Sequence, residues 1–318
     1  MKYKILNTIK NFTPDAKDIL RDIGSVDYIN LDQEELLEKI SDYNVLVIGM
    51  DFNITRKIMD NAKNLELIAT ATTGLDHINL KYAQKKDIEV LSLKGEVKFL
   101  NSITGTSELA FGLMICLMRL ILPSFKSMIE YGFNRERFRG HNLSGNTLGV
   151  VGLGRLGKLM VKYAIAFNMK VLAYDPYVDK NEFKNNNCKK VSFETLLKES
   201  DVISIHVHLN EETEGMFNLE SFQNMKNTAY LVNTSRGKIV NENELLNALE
   251  KRYIAGYGTD VLSDEVNFVS NFNNNALLEY AKNNDNCMIL PHTGGMTFES
   301  REATDIFIAK KLLEYLHQ

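Results

Sequence analysis

Three segments in the second half of the chain carry side chains suited to chemistry on a carbonyl beside a carboxylate. Arg236 follows an apolar run, and a guanidinium can hold a carboxylate through two hydrogen bonds while it polarises the neighbouring carbonyl. Glu265 and His292 follow two further apolar runs. A histidine beside a carboxylate can donate a proton near neutral pH, because the anion stabilises the imidazolium. Each residue alone could be a strand cap, a solvated acid or a packed histidine, but together they indicate a catalytic site.

The segment from Thr147 to Gly157 has the pattern of a strand, a Gly-x-Gly-x-x-Gly turn and the start of a helix. In dinucleotide-binding proteins these glycines allow a tight turn, a close pyrophosphate and close packing of helix on strand. The next apolar run leads to Asp175, 18 residues after Gly157, which is where an acid contacts the adenosine ribose in such proteins. Asp175 favours NAD, although the nearby Lys180 leaves NADP open, and an unrelated glycine-rich turn is the alternative. The expected cofactor contacts in this turn are Gly152, Gly154, Arg155, Leu156 and Gly157.

These residues sit among alternating apolar runs and amphipathic stretches. Continuous apolar runs are typical of parallel strands buried on both faces, and their alternation with helical patterns predicts an α/β fold of two doubly wound parallel-sheet domains. We expect residues 1–100 and 290–318 to form one discontinuous domain and residues 101–289 the other. We expect helices at Leu109–Leu122, which is apolar enough to be buried, and at Phe298–Leu316. The expected strands are Val45–Gly49, Leu67–Ala71, Leu148–Gly152, Val171–Tyr174, Val202–His206, Ala229–Asn233 and Ile254–Asp260.

Composition excludes several classes of function. The net charge of −4 and pI near 5.9 give no electrostatic attraction to nucleic acid or to an anionic membrane. The cysteines, Cys116, Cys188 and Cys287, are far apart and suggest idle thiols in a reducing compartment, with no metal site. The N-terminus lacks the features of a signal peptide, and Leu109–Leu122 is shorter than the ~20 residues that span a bilayer. These observations predict a cytoplasmic protein.

Beyond these patterns, the chain resembles the D-isomer-specific 2-hydroxyacid dehydrogenases over nearly its whole length. The stretches that match are Thr73-Gly-Leu-Asp-His-Ile, Thr106-Ser-Glu-Leu-Ala, Gly149 to Gly157, Met225 to Val240, Ile254 to Val261 and Pro291-His-Thr-Gly-Gly. The resemblance implies a Rossmann-type NAD domain, a flavodoxin-like substrate-binding domain and a homodimer. The chain departs from the family pattern at Val266, where a proline usually follows the glutamate, at His208, where a proline is common, and at Phe133, where a tryptophan is common.

The resemblance also implies individual roles. Arg236 binds substrate, Glu265 pairs with His292, and His292 is the acid/base. Replacing Glu265 by glutamine should then lower the pKa of His292 and impair reduction more than the reverse reaction. Substrate carboxylate contacts are implied for the backbone amides of Thr73, Gly74 and Leu75. Cofactor contacts are implied for Asp260, on the nicotinamide carboxamide, and for Thr106, His206, Val207, Thr234 and Ser235.

The expected reaction is reduction of a small 2-keto acid to the D-2-hydroxy acid, or its reverse. Gly49 and Thr70 occupy positions that we align with phosphate-binding arginines, so we favour an unphosphorylated acid such as glyoxylate, hydroxypyruvate or a pyruvate-like keto acid. We also expect no regulatory domain after Gln318 and no extended tail of the kind seen in corepressors. Two alternatives remain: an NAD-sensing binding protein of the corepressor type and a phosphoglycerate-type dehydrogenase. Turnover of a keto acid separates the first from an enzyme.

Overall fold

The computed structural model describes residues 3–265 and 275–317, which form two compact units. The first comprises Met1–Ile103 and Thr297–Gln318, and the second comprises Thr104–Met296. The predicted boundaries differ by a few residues, since they placed 101–103 with the second block and 290–296 with the first. The segment 290–296 belongs to the second unit because it is hydrogen-bonded there: the amides of Leu290 and His292 donate to the carbonyls of Thr259 and Asp260.

The first unit is built on a five-stranded parallel sheet with the order β2-β1-β3-β4-β5. This is the flavodoxin-like order. The C-terminal helix, α14 (Phe298–Leu316), has the predicted bounds and packs its buried Ile308, Ala309 and Leu312 into this unit's core. The strands are β1 (Tyr3–Asn7), β2 (Gly24–Tyr28), β3 (Val45–Ile48), β4 (Leu67–Thr70) and β5 (Glu89–Leu91). The α-helices are α1 (Pro14–Ile23), α2 (Gln33–Lys39), α3 (Arg56–Asn61), α4 (Leu80–Lys85), α5 (Val97–Leu100) and α14 (Phe298–Leu316), and a 3₁₀ helix covers Ile40–Asp42.

The second unit is built on a seven-stranded parallel sheet with the order β12-β11-β10-β9-β6-β7-β8. This is the Rossmann order with one further strand at the edge, so the predicted fold class is confirmed. The strands are β6 (Thr147–Val151), β7 (Lys170–Tyr174), β8 (Lys189–Lys190), β9 (Val202–Ile205), β10 (Tyr230–Asn233), β11 (Gly256–Thr259) and β12 (Cys287–Ile289). The α-helices are α6 (Gly105–Met118), α7 (Ile121–Tyr131), α8 (Arg155–Ala166), α9 (Lys180–Asn185), α10 (Phe193–Glu199), α11 (Leu219–Asn224), α12 (Glu242–Glu250) and α13 (Ala276–Asn283), and 3₁₀ helices cover Arg135–Arg137 and Gly237–Ile239.

The prediction of one helix over Leu109–Leu122 was wrong. Helix α6 ends at Met118, Leu120 adopts a left-handed backbone conformation with φ of 52°, and α7 starts at Ile121. Length and composition alone would let Val97–Met118 cross a membrane. That segment contains two helices, α5 and α6, and α6 is a core helix whose Ala110, Leu113, Met114 and Leu117 are buried in the second unit.

Candidate active site

His292 and Glu265 form a hydrogen-bonded pair in the second unit. Glu265 lies in the loop after β11 and His292 in the loop after β12, and these loops leave the same edge of the sheet because the two strands are parallel neighbours. The Nδ1 atom of His292 is 2.5 Å from Oε2 of Glu265, and Oε1 of Glu265 accepts a 2.8 Å hydrogen bond from the amide of Leu262. Both carboxylate oxygens are therefore engaged. The Nε2 atom of His292 is left as the ring nitrogen that can meet a ligand.

The surroundings of His292 raise its pKa above the ordinary value. Burial acts in the opposite direction and lowers the pKa, but the hydrogen bond and negative charge of Glu265 and the charge of Asp260 outweigh it. The positive charge of Arg236 reaches the ring and lowers the pKa somewhat. The imidazolium is thus more populated at neutral pH than in a free histidine, as a proton donor requires.

Arg236 follows β10 and is held by its own backbone surroundings. Its carbonyl accepts a 2.9 Å hydrogen bond from the side chain of the fully buried Asn233, and its Nη1 donates to the carbonyl of Ser235 at 2.8 Å. Ser235 is anchored in turn, because its Oγ donates to the carbonyl of Ile205 at 2.8 Å. The structure therefore brings the charges of Arg236, Glu265, Asp260 and His292 together at one edge of the sheet.

Three buried polar atoms without a hydrogen-bond partner in the described part of the chain lie just after β9, β10 and β11. They are Nδ1 of His206, Oγ1 of Thr234 and Oδ1 of Asp260. Burial lowers the pKa of His206 to about 4, so its ring is neutral at pH 7. A buried polar group with no partner costs about 1–3 kcal/mol, which indicates that a ligand with complementary polar groups binds here.

Asp260 connects this polar edge to the loop that carries His292. Its Oδ2 accepts a 2.7 Å hydrogen bond from the amide of Gly294, and a Cβ added at Gly294 would lie 3.1 Å from Cγ2 of Thr106. Burial raises the pKa of Asp260, although the charge of His292 and the Gly294 amide oppose the rise. The predicted residues Thr106 and Asp260 are thus neighbours of the His292 loop.

The three glycines after β6 differ in what they face. A Cβ at Gly152 would lie 2.6 Å from the carbonyl oxygen of His206 and 2.8 Å from Cγ1 of Val207, and a Cβ at Gly157 would lie 2.0 Å from the carbonyl oxygen of Gly152. A Cβ at Gly154 would lie more than 4 Å from the described residues other than its own chain neighbours and helix backbone. Gly152 and Gly157 are therefore required by the protein's own packing. Gly154 instead faces open space at the start of α8, beside Arg155 and Leu156 in the first turn, as a pyrophosphate site requires.

Asp175 lies directly after β7 and is tied to the glycine turn. Its Oδ2 accepts a 2.9 Å hydrogen bond from the amide of Leu153, and its Oδ1 accepts a 3.0 Å bond from the amide of Tyr177. An ionised carboxylate has about four acceptor sites, so two remain for ribose hydroxyls. Together with the glycines and the polar atoms after β9 to β11, Asp175 makes this edge fit a dinucleotide.

In the first unit, Thr73, Gly74 and Leu75 follow β4 at the carboxyl edge of that sheet. The Oγ1 of Thr72 donates to the carbonyl of Gly74 at 2.9 Å, and the carbonyl of Leu75 accepts from the amide of Ile78 at 3.0 Å. The amides of residues 73–75 donate to no atom of residues 3–265 or 275–317. Consecutive amides of this kind can bind an anion.

Sequence reasoning missed two residues of this region, Glu242 and Ser263. The carboxylate of Glu242 accepts hydrogen bonds from Ser263, two positions before Glu265. No local pattern connects positions that are 21 residues apart. Val266, the departure from the family pattern, lies outside the described residues. Within those residues, no group of His, Cys, Asp or Glu side chains is arranged to hold a metal ion.

Comparison with known proteins agrees with this geometry. Residues 111–294 match the family model described as "D-isomer specific 2-hydroxyacid dehydrogenase, NAD binding domain". The chain is 34% identical to the glyoxylate reductase of Thermococcus litoralis, over 88% of this chain and 82% of that protein. It is also 34% identical to a D-3-phosphoglycerate dehydrogenase of Methanocaldococcus jannaschii, over 95% of this chain but only 55% of that protein.

The fold has close counterparts among solved structures. The D-lactate dehydrogenase of Aquifex aeolicus, solved with NAD and lactic acid, superposes with a TM-score of 0.88 at 29% identity, over 99% of this chain and 95% of that one. The glycine turn, Asp175 and the partnerless polar atoms of the second unit are consistent with NAD as the cofactor. The chain belongs to the D-isomer-specific 2-hydroxyacid dehydrogenase family.

Proposed function

We propose that this protein reduces a small 2-keto acid to the D-2-hydroxy acid with NADH, or catalyses the reverse oxidation. The observation that carries the proposal is the His292–Glu265 pair, in which a histidine of raised pKa lies at the carboxyl edge of the Rossmann-type sheet with Arg236 and Asp260. This edge is where ligands bind in such sheets. Oxidation and reduction use the same residues in opposite protonation states.

Each residue then has a specific task. NADH supplies the hydride that reaches the carbonyl carbon. Arg236 binds the substrate carboxylate and polarises the carbonyl, and His292 donates a proton from Nε2 to the carbonyl oxygen. Glu265 accepts from Nδ1 and stabilises the imidazolium before the proton leaves. In the first unit, the amides of residues 73–75 are proposed to bind a carboxylate, because they are consecutive donors without an acceptor in the described chain.

The cofactor contacts follow from the polar atoms without partners and from the glycine turn. We assign Oδ1 of Asp260 and Oγ1 of Thr234 to the nicotinamide carboxamide, since an amide supplies both a donor and an acceptor. Asp175 accepts from the adenosine ribose hydroxyls and repels a 2′-phosphate, so NADH is preferred over NADPH. The remaining proposed contacts are Gly152, Gly154, Arg155, Leu156 and Gly157 at the pyrophosphate, and Thr106, His206, Val207 and Ser235 along the cofactor.

The substrate is proposed to be unphosphorylated, although only one of the two positions aligned with phosphate-binding arginines supports this. Thr70 is fully buried and its Oγ1 lies 3.1 Å from Oγ1 of Thr72, so position 70 is not one from which a side chain reaches a ligand. Only Gly49, which follows β3 and is partly exposed, still supports the absence of a phosphate-binding arginine. Glyoxylate, hydroxypyruvate and pyruvate are favoured because the similar proteins with high coverage include a glyoxylate reductase, a hydroxypyruvate reductase and a D-lactate dehydrogenase.

We further propose a cytoplasmic homodimer. Helix α7 and the residues after it expose large apolar side chains: Phe125, Ile129, Tyr131 and Phe133 are 62%, 70%, 76% and 85% exposed. A monomer rarely exposes so continuous an apolar surface, and a second copy is the partner that is always present at equal concentration. We expect sedimentation equilibrium to show a dimer and a Phe125→Glu, Ile129→Lys variant to be monomeric. A monomeric parent protein would contradict this assignment.

A substrate screen tests the proposed function. NADH oxidation is followed with glyoxylate, hydroxypyruvate, pyruvate and 3-phosphohydroxypyruvate, and kcat/KM is compared across the four acids. We expect one of the three unphosphorylated acids to be preferred, with NADPH a poor donor. A clear preference for the phosphorylated acid supports the phosphoglycerate-type alternative. NADH binding without turnover of any 2-keto acid supports an NAD-sensing binding protein.

A further inference from the structure

Glu242 holds the loop that carries Glu265. It is the first residue of α12, and both of its carboxylate oxygens accept hydrogen bonds from Ser263: Oε1 from the amide at 2.7 Å and Oε2 from the hydroxyl at 2.7 Å. Ser263 lies two residues before Glu265. Two charge-assisted hydrogen bonds to one carboxylate hold a loop in position more firmly than a single neutral hydrogen bond.

The same loop segment is confined from a second side by the residue after Arg236. A Cβ added at Gly237 would lie 2.0 Å from the carbonyl carbon of Leu262 and 2.2 Å from the amide nitrogen of Ser263, so the two backbones are in direct contact. The loop is therefore held between the backbone at Gly237 and the carboxylate of Glu242. The backbone next to Arg236 therefore lies against the backbone that leads to Glu265.

The Leu262 amide connects Ser263 to the His292–Glu265 pair. Ser263 follows Leu262, whose amide donates to Oε1 of Glu265 at 2.8 Å, and Oε2 of Glu265 meets Nδ1 of His292 at 2.5 Å. A shift of residues 262 and 263 therefore changes the orientation of the Glu265 carboxylate, and with it the hydrogen bond to the imidazole. The directions of such bonds matter because they weaken steeply away from linearity.

We propose that Glu242 is a positioning residue for the His292–Glu265 pair, acting through Ser263 and the Leu262 amide. Among the described residues, the charges of Glu265, Asp260 and Arg236 are those that shift the pKa of His292 most. We therefore attribute the influence of Glu242 to the position of the loop. The catalytic consequence rests on the proposed role of His292, but the structural coupling does not.

The experiment compares Glu242→Ala with Glu242→Gln and with the matched control Glu244→Ala. Glu244 stands in the same first turn of α12 and its carboxylate also accepts a backbone hydrogen bond, but from Leu219 at the start of α11 and not from Ser263. The pKa of His292 is measured by NMR titration of ¹⁵N-histidine-labelled protein, with the resonance assigned by its loss in His292→Asn. NADH affinity and kcat/KM for keto-acid reduction are measured alongside.

In Glu242→Ala we expect the pKa of His292 to fall, kcat to drop ~10-fold, and NADH affinity to stay within about twofold. In Glu242→Gln, the pKa of His292 and kcat should both lie close to the values of the parent protein. An amide side chain can still accept a hydrogen bond from the Ser263 backbone and donate one to the Ser263 hydroxyl oxygen. Glu244→Ala should lose a similar amount of thermal stability without moving the titration. Should Glu242→Ala fail to fold, Ser263→Ala removes one of the two bonds and should shift the pKa in the same direction by less.

The outcomes separate this inference from the proposed function. A His292 titration in Glu242→Ala or Ser263→Ala identical to that of the parent protein overturns the positioning role, whatever the activity. A shifted titration in a protein that reduces no 2-keto acid retains the positioning role and refutes the proposed function. A shift of equal size in Glu244→Ala attributes the effect to general destabilisation of α12 and overturns the inference.

Discussion

The change Glu265→Gln tests the central pair most directly, because the structure dictates how the amide must sit. In the parent protein one carboxylate oxygen accepts from the Leu262 amide and the other from Nδ1–H of His292. A glutamine has a single acceptor oxygen, so it can satisfy only one of these two donors. If the oxygen stays on Leu262, the NH₂ group faces Nδ1 and the imidazole must accept there. The proton of neutral His292 then resides on Nε2, which is the wrong tautomer for a base.

The magnitude follows from the contacts that are lost. A hydrogen bond to a charged group contributes ~1.5–3 kcal/mol, which corresponds to roughly 10- to 100-fold in rate. The His292 and Glu265 side chains are 31% and 32% exposed, so solvent screening favours the lower part of that range. The unfavourable tautomer adds to this loss, and a total of about 10²- to 10⁴-fold in kcat/KM is expected. The loss should appear in both directions, which revises the expectation from sequence that reduction would be impaired more than oxidation.

The assay is kcat/KM against pH for keto-acid reduction and for hydroxy-acid oxidation, with NADH affinity measured by fluorescence. Because Glu265 raises the pKa of His292, reduction by the parent protein should persist to higher pH than in Glu265→Gln. Glu279→Gln is the matched control, since this exposed carboxylate pairs with Lys282 on α13. If the pH dependence of kcat/KM for reduction is unchanged in Glu265→Gln and activity falls less than threefold, Glu265 does not set the pKa of His292.

Three further predictions concern the cofactor turn and the first unit. Gly154→Ala should leave the melting temperature unchanged but weaken NADH binding at least ~10-fold. Gly157→Ala should lower the melting temperature, because a Cβ at Gly157 would collide with backbone and one at Gly154 would not. Equal melting temperatures of the two variants would contradict this prediction. Asp175→Ala should narrow the preference for NADH over NADPH, measured as a ratio of kcat/KM values, and an unchanged ratio would contradict the assignment. Burial raises the pKa of Asp305 to about 6, although the charge of Arg301 opposes the rise. Because the folded protein then binds this proton more tightly than the unfolded chain does, the contribution of Asp305 to the free energy of unfolding is fully present below about pH 4 and is lost as the pH rises through 6. Asp305→Asn should therefore stabilise the protein on the order of 1–3 kcal/mol at pH 8 but not at pH 4, by thermal unfolding, and an equal effect at both pH values would contradict the burial argument.

Several features followed from the sequence because their signals are local. The strand, glycine turn and helix from Thr147 to Gly157 lie within one short segment, and the positions of β6, β7 and α8 follow from hydrophobic periodicity. Helix α14 was predicted with its exact bounds for the same reason. Residue types alone indicated Arg236, Glu265 and His292, since few other side chains can bind a carboxylate or donate a proton at neutral pH.

Where the signal was weak, prediction failed. Strands β5 and β8 have only three and two residues, and β2 is largely exposed, so none of them carries a distinct apolar run. Strands β1 and β12 were also missed: β1 has only Ile5 and Leu6 as adjacent apolar residues, and β12 is a three-residue strand within the apolar run before His292. The end of α6 at Met118 was missed because the apolar pattern continues through Leu120, which turns left-handed without a glycine or a proline at the break. A hydropathy pattern does not reveal that the backbone of one apolar residue changes to a left-handed conformation.

The sequence alone therefore determined the family, the fold class and the types of group in the candidate site. Only the tertiary structure decided which atoms meet. The 2.5 Å contact of His292 with Glu265 joins residues 27 positions apart, and the bonds of Glu242 with Ser263 join residues 21 apart. These contacts depend on β10, β11 and β12 being neighbours, so that their loops leave one edge together. Strand order is set by packing of the whole sheet, and no local period in the chain encodes it.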